Sequence, residues 1–502
     1  MLSGVGLLAS GAALGGTAGA AAESDADALE ELPLRWNRTY SDAAYNGATS
    51  VVEDGDQYVL VGQSGAQARG IPGWLFGTDA TSGAGEWMAT IEREDREPPT
   101  FQTHVPAVDG EGYALLGARL QTGTASLVRT DAEGAIQWWE PYEGDAGGGA
   151  SASLLARDVV ATSDGYLIAG ARAQDGGASG LVLRVGPDGS ERSRTRLFTD
   201  QQSEILSVVP DGDGYVGAAV VQSSSAGESS VRAVLFRADA DDELQWREEF
   251  TAPTDGDPLG QNQLVDVAVD GDGYVAAGYA ASNSFDTVEG WVLSVDGAGQ
   301  RRATRRLSPR PVTLLTSVTT TDDGVVVAGQ GSESATSRSA VGVVGELGDG
   351  LEANWSRTIS VGATNNVRDV IATSDGGVAL AGITQYQSRS ADPRTEAWLV
   401  KLGGADAQRV TATAPGTAES SSTATPTATP TPTPTPSSTP SATPSPTPSP
   451  TPEATPTADP TATGTDPRDT TADGGPGFGV GATLAALGTG ALYERLRDDC
   501  ED

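Results

Sequence analysis

The sequence contains very little cysteine, histidine or lysine. Its 502 residues include one cysteine, Cys500, one histidine, His104, and one lysine, Lys401. A single cysteine excludes an intrachain disulfide and multi-cysteine metal sites, and a single histidine excludes zinc sites that need two. His104 is the one histidine that could activate a serine nucleophile, and an ordinary strand residue is the alternative. We therefore expect no metal and no cofactor, and a core held by packing alone.

Basic charge is also scarce. The chain has 31 lysines and arginines against 68 acidic residues, a formal net charge of -37. Such a charge disfavours nucleic acids and anionic lipid surfaces as partners. The acidic residues are spread along the chain, which is typical of surfaces solvated in high salt, where screening shortens the reach of repulsion. We expect a halophilic protein; an acidic patch for a cationic ligand is the alternative.

The first 22 residues carry no charge. An apolar run of small residues ends in Ala18-Gly19-Ala20-Ala21-Ala22, which has the form of a signal-peptide core and cleavage site. We therefore predict a signal peptide over residues 1–22, and export. No basic residue precedes Arg35, so we expect the true start to lie upstream of Met1. The run resembles the part of haloarchaeal twin-arginine signals that follows the arginine pair; a plain secretory signal or a buried helix is the alternative.

Residues 405–475 offer little from which to build a core. From about Ala412 onward the composition collapses to Thr, Pro, Ser and Ala. Proline fixes φ and withholds backbone donors, so we predict an extended stalk of at most roughly 200 Å, at about 3.1 Å per residue. Its dense hydroxyl groups are typical of O-glycosylated stalks.

Residues 476–502 begin with Pro476, Gly477 and Phe478, continue as an uncharged run to Tyr493, and then include two arginines. As a helix, the run would span about 24 Å, short of a hydrocarbon core of about 30 Å. The segment resembles the PGF-CTERM sorting signal of haloarchaeal surface proteins, although it ends in Asp-Asp-Cys-Glu-Asp where a basic cluster is expected. The resemblance implies removal by an archaeosortase-like enzyme and a lipid anchor in the membrane. An uncleaved membrane span is the alternative.

One phrase recurs seven times between these ends: an apolar strand, an Asp/Gly turn, an aromatic residue or valine, and more apolar residues. The residues that follow the turns are Tyr58, Tyr113, Tyr166, Tyr215, Tyr274, Val325 and Val378, with spacings of 55, 53, 49, 59, 51 and 53. Each repeat has room for four short strands. The pattern predicts an all-β fold, a seven-bladed β-propeller over residues 34–404.

The end of the repeat array indicates how the ring closes. The last repeat lacks the tryptophan-led fourth strand of the others, whereas residues 36–40 (WNRTY) match residues 355–359 (WSRTI). We therefore predict that the N-terminal strand completes blade seven and leaves no open edge. Eight of the nine tryptophans occupy two repeat positions, which indicates blade packing. The phrase AWLVKL at residues 397–402 resembles the propeller repeats of archaeal and bacterial surface proteins, a resemblance that implies a fold and no particular function.

Three groups of residues are candidate sites. The loops between second and third strands vary freely, so we expect ligands on that face. The Asp/Gly turns are typical of hairpins, with calcium binding as the alternative. Asn37 and Asn354 lie in glycosylation sequons. A basic cluster is a candidate anion site, for example for an anionic glycan, and an outer strand paired with the protein's own acids is the alternative; the cluster contains Arg301, Arg302, Arg305 and Arg306.

No pattern of catalytic residues emerges. We therefore predict a non-catalytic recognition or structural module of the cell envelope, monomeric and anchored at the cell surface, which binds an envelope glycan or protein. A ligand-capture or sensor protein is the first alternative. A carboxylate-dependent glycan-active enzyme, whose acids come from different blades, and a quinone-dependent enzyme are the others.

Overall fold

The computed structural model describes residues 30–411 with internal gaps. The predicted signal peptide, the stalk and the sorting tail, including Pro476, Gly477 and Phe478, lie outside the described residues. Among the residues that the structure describes, no helix is long and apolar enough to cross a membrane. The internal gaps are 42, 44, 66–70, 94, 96–97, 120–121, 145–151, 175–176, 226–227, 255–258, 338, 387–393 and 405–409.

The described chain is almost entirely β-strand, in seven antiparallel groups of four that we call blades. In the first six blades the four strands pair in chain order, from an inner first strand to an outer fourth strand, and in the last blade the N-terminal strand takes the fourth place. Blade 1 contains β3 (Tyr45–Asp54), β4 (Gln57–Gly65), β5 (Gly73–Asp79) and β6 (Gly85–Ile91). Blade 2 contains β7 (Thr100–Pro106), β8 (Tyr113–Arg119), β9 (Thr124–Thr130) and β10 (Ile136–Tyr142). Blade 3 contains β11 (Ser153–Thr162), β12 (Gly165–Gln174), β13 (Gly177–Val185) and β14 (Glu191–Leu197). Blade 4 contains β15 (Gln202–Asp211), β16 (Gly214–Ser225), β17 (Glu228–Ala238) and β18 (Leu244–Phe250).

The remaining blades follow the same scheme. Blade 5 contains β19 (Gln261–Asp270), β20 (Gly273–Ala281), β21 (Val288–Asp296) and β22 (Arg301–Leu307). Blade 6 contains β23 (Val312–Thr321), β24 (Gly324–Ser332), β25 (Val341–Leu347) and β26 (Ala353–Ile359), with a 3-10 turn at Asp349–Leu351. Blade 7 contains β27 (Thr364–Ala372), β28 (Val378–Tyr386), β29 (Arg394–Leu402) and the N-terminal β2 (Leu34–Tyr40). The short strands β1 (Glu30–Glu31) and β30 (Val410–Thr411) pair with each other.

The blades close into a ring. The inner strands β3, β7, β11, β15, β19, β23 and β27 contact one another in that order, and β27 contacts β3. β2 pairs antiparallel with β29, from Leu34 opposite Leu402 to Tyr40 opposite Ala397. The fold is therefore a β-propeller, which confirms the predicted all-β propeller class, and the N-terminal strand pairs with β29 as predicted.

Apolar side chains pack between neighbouring blades. All nine residues of β20 are buried, because a second strand is covered by the blades on both sides and reads as a continuous apolar run. One core cluster joins Trp36 and Leu399 of blade 7 to Leu60 and Trp74 of blade 1. The blades are thus stabilised by burial against their neighbours, as expected for a chain without disulfides.

The tryptophans of the fourth strands link neighbouring blades at the outer edge of the propeller. The indole N–H groups of Trp36, Trp138 and Trp246 donate to backbone carbonyl oxygens of the next blade, at 3.0, 3.2 and 3.1 Å. The turns that supply these carbonyls contain a glycine at positive φ, as at Gly83. A Cβ atom at Gly83 would lie 2.8 Å from the Trp36 ring, so both backbone conformation and space require glycine.

Candidate functional site

Two of the tyrosines that follow the Asp/Gly turns donate a hydrogen bond to the turn of the preceding blade. The hydroxyl of Tyr113 donates to Asp54 at 2.6 Å, and that of Tyr274 donates to Asp211 at 2.9 Å. Burial raises the pKa of Tyr274 to about 12, so this hydroxyl stays protonated and remains a donor. In these two repeats, the tyrosine after the turn therefore links neighbouring blades.

Basic side chains of the third strands engage the same turns. Arg129 donates to Asp109 at 2.6 Å, and the buried Lys401 donates to Asp375 at 2.7 Å and to Thr373 at 2.6 Å. The pKa of Lys401 lies below its ordinary value because burial disfavours the ammonium charge. Several turn carboxylates are thus occupied by hairpin and ion-pair contacts. Within the described residues, no group of three or more His, Cys, Asp or Glu side chains could hold a metal ion.

A ring of polar side chains lies at the centre of the propeller. The inner strand of each blade contains a β-bulge, and the residue after the bulge is Asp, Ser or Thr. We call these residues the central belt. Its members are Ser50, Thr103, Asp158, Ser207, Asp266, Ser317 and Asp369.

The belt satisfies backbone N–H groups at the free edges of the inner strands. Asp158 accepts the N–H of Val208 in the next blade at 2.9 Å, and Asp369 accepts that of Val51 at 2.9 Å. Ser317 accepts the N–H of Val370 at 3.2 Å. An inner strand has no partner on its central side, so these bonds occupy donors that would otherwise lack one.

Asp266 is the most heavily bonded member of the belt. Its Oδ1 atom accepts from Ser207 and from its neighbour Val267, both at 2.9 Å. Its Oδ2 atom accepts from Val318 at 2.8 Å and from Ser317 at 2.9 Å. One carboxylate therefore ties blade 5 to blade 4 on one side and to blade 6 on the other.

The carboxyl groups of the belt are weaker acids than exposed aspartates. Burial raises the pKa of Asp158 to about 7 and that of Asp369 to about 6, and it also raises the pKa of Asp266. The charge of Asp266 adds to the shift in the other two. The three side chains keep some exposed surface, but the surrounding protein replaces most of the water that would solvate the charge.

His104 does not form a catalytic arrangement. It is 2% exposed in β7, and its Nε2 atom lies 3.1 Å from the carbonyl oxygen of Val59 in blade 1. Burial lowers the pKa of His104 to about 3, so the ring is neutral and donates to that carbonyl. The side chain is an interior strand residue with a structural hydrogen bond.

The predicted basic cluster lies on β22 and is paired with the protein's own surface. Arg302 contacts Asp272 at 2.6 Å, Arg305 contacts Glu352 at 3.2 Å, and Arg306 contacts Glu289 at 2.8 Å. The guanidinium of Arg301 lies 5.6 Å from the centre of the Phe250 ring. These contacts match the alternative of an outer strand paired with acids, and an anion site there stays a prediction.

The two sequon asparagines lie on fourth strands, on opposite sides of the equivalent tryptophans Trp36 and Trp355. Asn37 is half-buried and accepts the indole N–H of Trp398 at 2.6 Å. Asn354 is also half-buried, and its Nδ2 atom donates to Glu346 at 2.9 Å. Glycosylation of either residue stays a prediction. Any sugar on Asn354 would have to displace this internal hydrogen bond.

Sequence reasoning missed the central belt. A repeated signal was present: a residue of the type Asp or Ser is followed by valine eight or nine positions before the turn anchor in six repeats. Thr103-His104 is the exception. In any one repeat, the pair is only a polar residue in an apolar strand. The belt residues of different repeats come together only when the ring closes.

No protein-family model and no curated protein sequence matches the chain. Among solved structures, the β-propeller domain of the Trilobed protease from Pyrococcus furiosus aligns at 11% identity and a TM-score of 0.39, over 73% of this chain and 94% of that one. Sqt1 from Chaetomium thermophilum, bound to the N-terminus of ribosomal protein L10, aligns at 11% identity and a TM-score of 0.40, over 73% and 98%. The quinohemoprotein alcohol dehydrogenase ADHIIG from Pseudomonas putida HK5 aligns at 13% identity and a TM-score of 0.41, over 77% and 78%. Such similarity carries no argument about function.

Proposed function

We propose that the protein is an exported, cell-surface β-propeller that serves as a non-catalytic recognition or structural module of the cell envelope. The observation that carries this proposal is the use of the central ionisable groups. Asp158, Asp266 and Asp369 accept hydrogen bonds that join blades, which suits a rigid scaffold that presents its surface. In this proposal the stalk raises the propeller from the membrane, and a lipid added after processing anchors it.

The same chemistry supports a non-catalytic role. A catalytic carboxylate pair must face substrate, whereas the belt carboxylates face backbone N–H groups and hydroxyls of adjacent blades. A neutral, buried His104 cannot serve as a general base toward a ligand at the surface. The net charge of -37 supports a setting in molar salt, because like charges on the protein repel one another least where screening is strongest.

Surface proteolysis of intact cells tests this function. We expect an added protease to cleave the protein on whole cells, first in the Thr/Pro stalk, and to release a soluble fragment that contains the propeller. A cytosolic control protein should stay intact in the same sample. A protein that resists cleavage until the cells are lysed would contradict export. Turnover of neutral or acidic glycans by the released fragment would contradict a non-catalytic role.

A further inference from the structure

A groove of about 510 Å³ opens between the last and first blades, away from the central belt. Tyr40, at the end of β2, lines one side, and Phe76, Glu86 and Met88 of blade 1 line the other. Trp74 and Asn46 also line the groove, and both are only 3% exposed. Its size falls within the range of small-molecule sites, and its lining combines aromatic rings with a few polar groups, as such sites do.

Trp74 belongs to a set of three equivalent tryptophans on third strands. In blade 5, the indole N–H of Trp291 donates to Thr304 at 2.9 Å. In blade 7, the indole N–H of Trp398 donates to Asn37 at 2.6 Å. Both acceptors sit on the fourth strand, opposite the residue two places after the tryptophan. The fold therefore has a standard way to satisfy this buried donor.

Blade 1 lacks that acceptor. The residue opposite Phe76, two places after Trp74, is Met88. A thioether is a weak acceptor, and Nε1 of Trp74 has no hydrogen-bond partner within the described residues although it is buried. An unpaired buried donor is costly. Met88, in contrast, is 48% exposed and lines the groove, so the unpaired N–H group of Trp74 lies beside this groove.

The other groups in the groove restrict what could supply the missing acceptor. The rings of Tyr40 and Phe76 lie 4.8 Å apart, and those of Trp74 and Phe76 lie 5.1 Å apart, as a compact aromatic wall. Among the described residues that line the groove, Glu86 is the charged side chain, and no arginine or lysine accompanies it. An anionic ligand would meet a carboxylate and a strongly acidic protein. A quaternary ammonium would suit the rings but offers no acceptor to the indole.

We propose that the groove binds a neutral saccharide. A sugar ring presents an apolar C–H face to the aromatic wall and hydroxyl oxygens to the buried N–H of Trp74, while Glu86 accepts from its hydroxyl groups. The unbranched side chain of Met88 rotates away, and a sugar hydroxyl takes the position that Thr304 and Asn37 hold in the equivalent blades. This inference names a ligand for the recognition role proposed above, and rests on that role only for its biological setting.

The experiment uses the purified full-length protein in molar salt and an array of neutral oligosaccharides built from glucose, galactose and mannose, followed by calorimetric titration of the strongest binder. Met88→Asn installs the acceptor found in blade 7, and Trp74→Phe keeps a ring but removes the donor. We expect each to weaken binding by about 10-fold or more. Trp291→Phe removes the equivalent N–H far from the groove and should leave the affinity unchanged.

Melting provides a readout that is independent of the ligand. Met88→Asn should raise the melting temperature, because the Trp74 donor gains a partner, whereas Trp291→Phe should lower it. Three results would overturn the inference: no saccharide binding at millimolar concentrations, binding that is unaffected by both groove variants, or preferential binding of choline or of a proline-rich peptide. Surface exposure of the protein is measured separately, so failure here would leave the proposed location intact.

Discussion

Replacing Asp158 by serine tests whether the central belt joins the blades through ionisable groups. Serine already occupies the equivalent position in blades 1, 4 and 6, so the fold accepts it. The single hydroxyl can replace only part of the carboxylate, which accepts the N–H of Val159 at 2.8 Å and that of Val208 at 2.9 Å. At pH 5, we expect a loss of about 1–3 kcal/mol, the cost of one buried donor without a partner.

The pH dependence follows from the raised pKa. The pKa of Asp158 is about 7 in the folded protein and about 3.9 in the unfolded chain. The protonated side chain therefore stabilises the fold, and this stabilisation is fully present below about pH 4 and is lost as the pH rises through 7. Between pH 5 and pH 8, this loss amounts to about 2.5 kcal/mol for the wild type. The serine variant has no carboxyl group at this position and does not show this loss. The difference in the free energy of unfolding between wild type and Asp158→Ser should therefore be about 2.5 kcal/mol smaller at pH 8 than at pH 5.

Urea unfolding at constant molar salt, at pH 5 and pH 8, measures this difference. Thr316→Val is the matched control, because it removes an inter-blade hydrogen bond, from Thr316 to the carbonyl of Val367 at 2.9 Å, that involves no titratable group. The control should lose stability equally at both pH values. A difference between wild type and Asp158→Ser that does not change with pH would refute the reasoning.

Three further predictions concern closure, salt and the tryptophan acceptors. Deleting Leu34–Tyr40 should cause aggregation or loss of cooperative unfolding, because it exposes the edge of β29 and removes the bonds from Trp36 and Tyr40 to blade 1; an unchanged melting curve and a monomeric elution profile would argue against it. Dilution from about 1 M to about 0.1 M salt lengthens the Debye length from roughly 3 Å to about 10 Å and should lower the melting temperature; a salt-independent melting temperature would count against halophilic adaptation. Asn37→Ala should cost about 1–3 kcal/mol in urea unfolding because Trp398 loses its acceptor, and Asn37→Thr should restore part of it, as Thr304 serves Trp291; equal stability of the two variants would disprove this role.

The fold was predictable from sequence because the repeat determines it locally. Each Asp/Gly turn fixes a hairpin, and the match between residues 36–40 and 355–359 is enough to predict the closing strand. The predicted ligand face stays a prediction, since several of its loops, including 66–70 and 387–393, lie outside the described residues.

The sites were harder to predict, for physical reasons. Asp158 and Asp369 are separated by more than half of the propeller sequence, and they become parts of one belt only when the ring closes. The groove depends on a missing acceptor at Met88, which is visible only after strand register aligns it with Asn37 and Thr304. Absences of this kind leave no motif in a single sequence.

The central proposal, an exported protein held at the cell surface by its processed C-terminus, is tested most directly by mass spectrometry of the protein purified from membranes. We expect the mature form to lack residues 1–22 and to yield no peptide from Glu494 to Asp502, with a lipid-sized mass at its new C-terminus. Pro476, Gly477 and Phe478 changed together to alanine should leave a larger species. Recovery of the Glu494–Asp502 peptide from the mature wild-type protein would contradict processing and favour an uncleaved span.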